Sequence, residues 1–174
     1  ARVDEGGKSL VSFIPDLSKQ GHDATQEIDV ARPTLMEHGY GGKPILQFNA
    51  AGQFLRIAGH ILEAQEHTVF CVVSDKASSG HRAILSNWNG GAGNSTTSVF
   101  VGLTAEKRVR FSDAFSNAGD VSDRGKPFIL TAVSGSEQAM VYLNGRKLKS
   151  GPPLTKRRLD TAWVIGQQGN INGE

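Results

Sequence analysis

Cleavage of a glycosidic bond commonly uses two carboxylates that flank the same bond as nucleophile and acid, a pair that alternate positions of one strand can supply. The usual strand signature, E-x-D-x-x-E, is absent from this chain. Its acids fall in segments that read as loops, chiefly Asp4, Glu5, Asp16, Asp23, Glu27, Asp29, Glu37, Asp113, Asp120 and Asp123. A lyase would need Tyr, His and Arg to converge on one proton; Tyr40, His38 and Arg32 share a loop, but no spacing forces them together. No G-x-S-x-G elbow occurs, and SGSEQ around Ser136 lacks the second glycine. His22, His38, His60, His67 and His81 lack the short spacings of a zinc site. Gly90-Gly91-Ala92-Gly93 lacks the Lys-Ser/Thr pair that completes a phosphate loop. These absences argue for a protein that is not an enzyme.

Cation binding and sugar recognition are the remaining chemistries. Loop carboxylates suit a hard cation, and Asp16 and Asp23 flank one loop while Asp120 and Asp123 flank another. Calcium is therefore the metal ion to consider at Asp16 and Asp23, although no cofactor is required and such Asp residues more commonly cap turns through Asx hydrogen bonds. A sugar ring needs an aromatic face with planar polar groups beside it. Trp88, framed by Asn87 and Asn89 before a glycine-rich loop, meets that description, and a core role is equally open to it because Ile84 and Ser86 share its face. Tyr142 alternates away from Val141 and Leu143 and should reach the opposite sheet face beside Met140; Trp163, between Ala162 and Val164, reads as core. From Asn144 to Leu159 the bases Arg146, Lys147, Lys149, Lys156, Arg157 and Arg158 occur with no acid. That run suits sulfated or uronic glycans or an acidic neighbouring domain, and more commonly solvates and protects a sheet edge. Asn94-Ser95-Thr96 is a formal glycosylation sequon, without meaning in a bacterial setting.

Positioning these groups falls to strands. A period of two dominates, in short runs bounded by Gly, Asn, Ser or Pro. Strands are expected at Leu10 to Ile14, Pro44 to Phe48, Phe54 to Ile57, His67 to Ser74, Ala83 to Trp88, Ser98 to Leu103, Arg108 to Ser112, Phe128 to Ser134, Met140 to Leu143, Arg146 to Leu148 and Ala162 to Gly166. Asn144-Gly145 predicts a two-residue hairpin turn between the adjoining runs. The helical candidate is short, Ile61 to Glu66, and Ser18 to Gly42, Asn89 to Thr97 and Ala114 to Lys126 show no pattern. The chain has 174 residues, 21 of them glycine, which fits one domain rich in tight turns. A net charge of +2 gives no surplus for nucleic acid, and no apolar run approaches a membrane span. Cys71 is the single cysteine, so an internal disulfide is excluded. An all-β antiparallel sandwich or barrel follows.

The ordered segments DLSKQGHDATQ, ARPTLMEHGYGGKPILQFNAAGQFLRI, HTVFCVVSDK, RAILSNW, KPFILTAVSGSEQAMVYLNGRKL and WVIGQQG resemble laminin-G-like domains of the concanavalin A-like lectin-glucanase superfamily, found in bacterial secreted and surface proteins. The resemblance covers nearly the whole chain. It implies a concanavalin A-like jelly-roll sandwich of two antiparallel sheets, occupying 1–174 as a single domain. It also implies a non-catalytic recognition module that binds carbohydrate or a neighbouring protein domain, outside the cell or at its surface, with the periplasm also compatible. A structural domain packing within a larger complex is the alternative, and a polysaccharide-cleaving enzyme a lesser one. Two departures stand out. The family's S-G-N-G is Ser18-Lys19-Gln20-Gly21 here, and the start ARVDEGG and end INGE lack the usual terminal strands, as expected of a piece of a longer parent chain.

Overall fold

Alternation of side chains builds the longest strands. In HTVFCVV the odd-numbered residues are half-buried and the even-numbered ones exposed, the pattern of a strand with one face on a core. The computed structural model describes residues 9–76, 80–88, 97–112, 114–121 and 125–167, with the backbone of 2–3. Its strands are β1 (Arg2–Val3), β2 (Ser9–Leu10), β3 (Phe13–Ile14), β4 (Ala24–Thr25), β5 (Thr34–Met36), β6 (Ile45–Gln47), β7 (Leu55–Ile57), β8 (His67–Val73), β9 (Arg82–Ser86), β10 (Phe100–Leu103), β11 (Val109–Phe111), β12 (Phe128–Ser134), β13 (Ala139–Leu143), β14 (Arg146–Gly151) and β15 (Trp163–Ile165). They form a seven-stranded sheet, β11-β10-β9-β15-β7-β4-β3, and a four-stranded sheet, β14-β13-β12-β8; a second four-stranded sheet, β1-β2-β5-β6, shares no strand with either.

The two principal sheets make the expected antiparallel sandwich. One apolar cluster joins Val101, Leu103, Val109, Phe111 and Trp163 of the seven-stranded sheet to Leu130, Ala132, Val141 and Leu143 of the four-stranded one. Trp163 is core, as its neighbours suggested. Val164 points the other way and packs with Ala31 and Phe54, so the outer face of the large sheet is partly covered as well.

Local chemistry explains two turns of the chain. Asn144 and Gly145 both adopt positive φ, 51° and 78°, as a two-residue hairpin requires. Asn144 also accepts a bond from the Ile129 N–H through its side chain (2.8 Å) and donates its own N–H to the Ile129 carbonyl (2.8 Å), tying the turn to β12. At Gly102, where the β9–β10 register shifts, an added Cβ would lie 2.0 Å from the Arg82 carbonyl oxygen.

Four expectations are corrected. Leu10 to Ile14 is not one strand: β2 and β3 join different sheets, with buried Val11 between them. Ser18 to Gly42 is not patternless coil: it holds β4, β5 and short 3-10 turns at Asp29–Ala31 and Tyr40–Gly42. Strands of two or three residues carry too little alternation to show in sequence; they exist because β4 fits between β3 and β7, and β5 between β2 and β6. Ile61 to Glu66 forms no helix. The described part of Ala114 to Lys126 lies on the core, with Phe115 and Ala118 buried. Most of the Asn89 to Thr97 stretch, including Gly90 to Gly93 and the sequon, lies outside the described residues.

Candidate functional site

At one end of the four-stranded sheet, β8 begins and β12 ends, with His67 paired to Ser134. The chain following β14 crosses this end on its way to β15, and polar clamps hold it there. The Gln65 amide donates to the Arg157 carbonyl (3.0 Å) and accepts from the Arg157 N–H (2.6 Å), imitating a strand partner. Arg157 is buried and donates to the Ser98 carbonyl (3.1 Å) and the Thr155 hydroxyl (2.8 Å). Arg158 N donates to the Thr97 carbonyl (2.8 Å), and Leu154 and Leu159 pack on the core.

Between this strap and the strand ends lies a groove of about 420 Å³. Its polar walls are Glu66, Ser134, Ser136 and Lys156, and Pro153 and Leu154 supply an apolar patch. One acceptor, one cation and hydroxyls that both donate and accept can address a polyhydroxylated ligand, while the apolar patch takes C–H groups. His67 is half-buried beside Ser134, its ring edge-on to Phe111 (6.4 Å between centroids). Burial lowers its pKa against the opposing pull of the Gln65 and Ala64 backbone, with the nearby charge of Arg157 a smaller aid, so the imidazole is neutral at pH 7. Burial likewise pushes the Cys71 thiol up to about 11, which leaves it protonated and unsuited to nucleophilic work.

The residues singled out in sequence do not gather at this groove. Asp16 organises its own loop: its carboxylate accepts from the Ser18 hydroxyl (2.7 Å) and from the N–H groups of Ser18 (2.8 Å), Gln20 (3.1 Å) and His22 (3.0 Å). The Ser18 hydroxyl bond is the chief cause that brings its pKa down to about 2. Asp23 accepts from the Asp16 N–H (2.7 Å). Both acids therefore cap the turn, and among the described residues no group of three or more His, Cys, Asp or Glu side chains assembles at metal-binding range. Lys19 holds φ 67° in this loop, where the resembled pattern has glycine, a conformation that costs a side-chain-bearing residue roughly 1 kcal/mol.

Asn87 requires a correction as a ligand contact. It is fully buried, donating its amide to the Arg158 carbonyl (2.6 Å) and accepting from the Val99 N–H (2.7 Å). It is a clamp between β10 and the strap. Trp88 is half-buried, with its indole nitrogen enclosed and, among the described residues, without a hydrogen-bond partner. Asn89 lies outside the described residues. Tyr142 does reach the outer sheet face beside Met140, donating its hydroxyl to the Met140 sulfur (3.1 Å). Tyr142 thus lies on β13 of the four-stranded sheet, and Trp88 just past the end of β9 of the seven-stranded one. The basic run is divided: Arg157 is internal, Arg158 pairs with Asp160 (3.4 Å), and Arg146, Lys147 and Lys149 line β14. Asp120 pairs with Arg108 (3.1 Å), and Asp123 lies outside the described residues.

Sequence reasoning missed the groove because its walls come from three distant segments. In the sequence Ser136 reads only as a failed nucleophile, Lys156 only as part of the basic run and Glu66 only as the end of a short helical candidate. No spacing signal joins them.

Comparison with solved structures places this fold among known ones. The chain is similar to a GH54 α-L-arabinofuranosidase soaked with a cyclic sulfate inhibitor, at 13% identity and TM-score 0.67, over 95% of this chain and 45% of that one. It is similar to an arabinofuranosidase complexed with arabinofuranosyl-α-1,2-xylobiose, at 13% identity and TM-score 0.61, over 94% and 44%. Trypanosoma rangeli sialidase in complex with 2,3-difluoro-KDN follows at 16% identity and TM-score 0.51, over 94% and 27%. The chain spans less than half the length of each, and at these identities the likeness is one of fold. No protein-family model and no curated protein sequence matches it.

Proposed function

We propose that this chain is a non-catalytic recognition module that binds carbohydrate in the groove beside Glu66, Ser136 and Lys156, as part of a larger extracellular protein of laminin-G-like type. The observation that carries the reading is the composition of that groove: hydroxyls, one acid and one base around an apolar patch. A single carboxylate there supports binding over hydrolysis, which would need a second one on the far side of the bond. The similar structures include two arabinofuranosidases, of which the chain matches less than half.

Titration calorimetry with arabinofuranosyl-α-1,2-xylobiose, and affinity electrophoresis on neutral, uronic and sulfated polysaccharides, test this directly. Retention on at least one polymer is expected, weakened about tenfold by Glu66→Gln or Lys156→Ala, the loss of one charge-assisted hydrogen bond. Trp88→Ala and Tyr142→Ala compare the sites named from sequence, and a parallel run with chelator reads any part played by calcium. Absence of retention on every polymer would sink the sugar reading. Equal retention by wild type and both groove variants would move the site elsewhere.

A further inference from the structure

We propose that the first half of the strap, residues 152–157, is a gate on the groove, shut at neutral pH and lifted when His67 takes up a proton in acid. Its effect on binding rests on the groove being the carbohydrate site; the movement itself does not. The strap runs from the end of β14 at Gly151 to the start of β15 at Trp163, and its two halves are fastened differently. In the second half the Arg158 N–H donates to the Thr97 carbonyl (2.8 Å) and the buried Asn87 amide donates to the Arg158 carbonyl (2.6 Å). The Thr161 hydroxyl donates to the Asn87 carbonyl (3.2 Å), and buried Leu159 accepts from the Trp163 indole (3.4 Å). The first half exposes Pro152, Pro153, Thr155 and Lys156. It meets the sandwich through Leu154, which packs on the core, and through Arg157, which donates to the Ser98 carbonyl and whose main chain is held by the Gln65 side chain in two bonds (2.6 and 3.0 Å). Segments fastened by few buried contacts open first, so this half can lift while the second stays in place.

His67 stands beside that fastening. It follows Gln65 by two residues, pairs with Ser134 of β12 and sets its ring edge-on to Phe111 of β11. The charges around it are Arg157 on the strap and Glu66 next to it in the chain, whereas Phe111 and Ser134 do not titrate. Burial keeps the ring neutral, the Ala64 and Gln65 backbone favours the charged form without prevailing, and Arg157 repels a second cation. A proton on this ring therefore calls for water, and lifting 152–157 admits it while carrying the Arg157 charge away. In the lifted state the ring titrates near the ordinary value of about 6.5, and in the shut state only below it, so acid favours lifting. The same movement takes Pro153, Leu154 and Lys156 out of the groove wall. Binding there is lost with them.

Two neighbouring amides report the movement: Arg157 N–H, bonded to Gln65, and Arg158 N–H, bonded to Thr97. Hydrogen exchange read by NMR at about pH 7.5, 6.5 and 5.5, each rate taken relative to the unfolded chain at the same pH, tests the gate without a ligand. Protection of the Arg157 amide should fall by up to about tenfold between pH 6.5 and 5.5, one proton being linked to opening, while that of Arg158 holds. His67→Phe should abolish the fall, and His67→Gln repeats the test should the larger ring disturb packing. Gln65→Ala should reproduce the acid pattern at pH 7.5. Constant protection of Arg157, an equal fall in both His67 variants, or loss at Arg157 and Arg158 together overturns the gate. Affinity electrophoresis on the neutral, uronic and sulfated polysaccharides at the two outer pH values reads the consequence. Retention should drop in acid for the wild type and persist in His67→Phe; retention unchanged while the Arg157 amide opens overturns the coupling to binding. Retention on no polymer at either pH sinks the sugar reading instead, and a gate seen by exchange stands without it.

Discussion

The two edges of the four-stranded sheet differ. β14 carries Arg146, Lys147 and Lys149, its register against β13 shifts between Val141 and Tyr142, and Lys149 lies over the Phe115 ring at 5.8 Å. β8 has an unbroken register with its neighbour and turns Phe70 and Val72 to solvent. Charge and a bulge are the devices that deter strand addition, and this sheet applies them on one side. The exposure of β8 is thus a local feature. Whether the basic run also meets a ligand is a separate matter, because as a charged edge it already has a physical role.

The strongest way to break this comparison is to ask whether the edges belong to one cooperative unit. Leu130 sits fully buried on β12, between β8 on one side and β13 on the other. Leu130→Ala should cost about 2–5 kcal/mol in urea unfolding, and both edges should lose amide protection together. Loss confined to one edge would show two independent halves and dissolve the comparison. A smaller effect lies at the start of β8. His67→Phe replaces the half-buried imidazole by an apolar ring of similar size and should change stability at pH 7 by less than about 1.5 kcal/mol.

The pH dependence at His67 has a definite sign. Its folded pKa lies below the unfolded value of about 6.5, so the unfolded chain binds the proton that the buried ring refuses. Wild-type stability should fall as pH drops below that value, and this part of the slope should vanish in His67→Phe. Urea midpoints at intervals from neutral to mildly acidic pH would check it; an unchanged slope would mean that His67 accepts its proton in the folded state. The smallest expected stability change sharpens the comparison from the other side. Lys147→Val, at an exposed position, should alter stability by less than about 0.5 kcal/mol. It should nevertheless raise self-association, measured by light scattering, because it removes one of the charges guarding β14.

Much of the fold was legible where the signal is local. The alternation of β8, β12 and β13 and the Asn144-Gly145 turn mark their own conformations, and Tyr142 was placed on the outer face from its neighbours alone. Where a segment has only two or three paired residues, as at β4 and β5, its conformation is imposed by the strands on either side. ILEAQE shows the opposite failure: helix-forming residues are held in bends because the Gln65 amide serves the strap around Arg157.

Two side chains mark the limit for the site. Asn87 had the right chemistry for a sugar contact and was claimed by the Val99 N–H and the Arg158 carbonyl. Asp16, open in sequence to calcium or to a turn cap, accepts hydrogen bonds from its own loop. For Asn87 the side-chain chemistry was readable and the competing partner was not; for Asp16 the turn cap is the commoner reading of the sequence itself.

The sequence by itself determined the all-β class, the longest strands and their turn, because these depend on alternation and φ preference within a few residues. Only the tertiary structure decided which edge stands open and where a groove forms. The pair that pins the strap over that groove, Gln65 and Arg157, is separated by 92 residues, and contacts at that range leave no periodic trace in the chain.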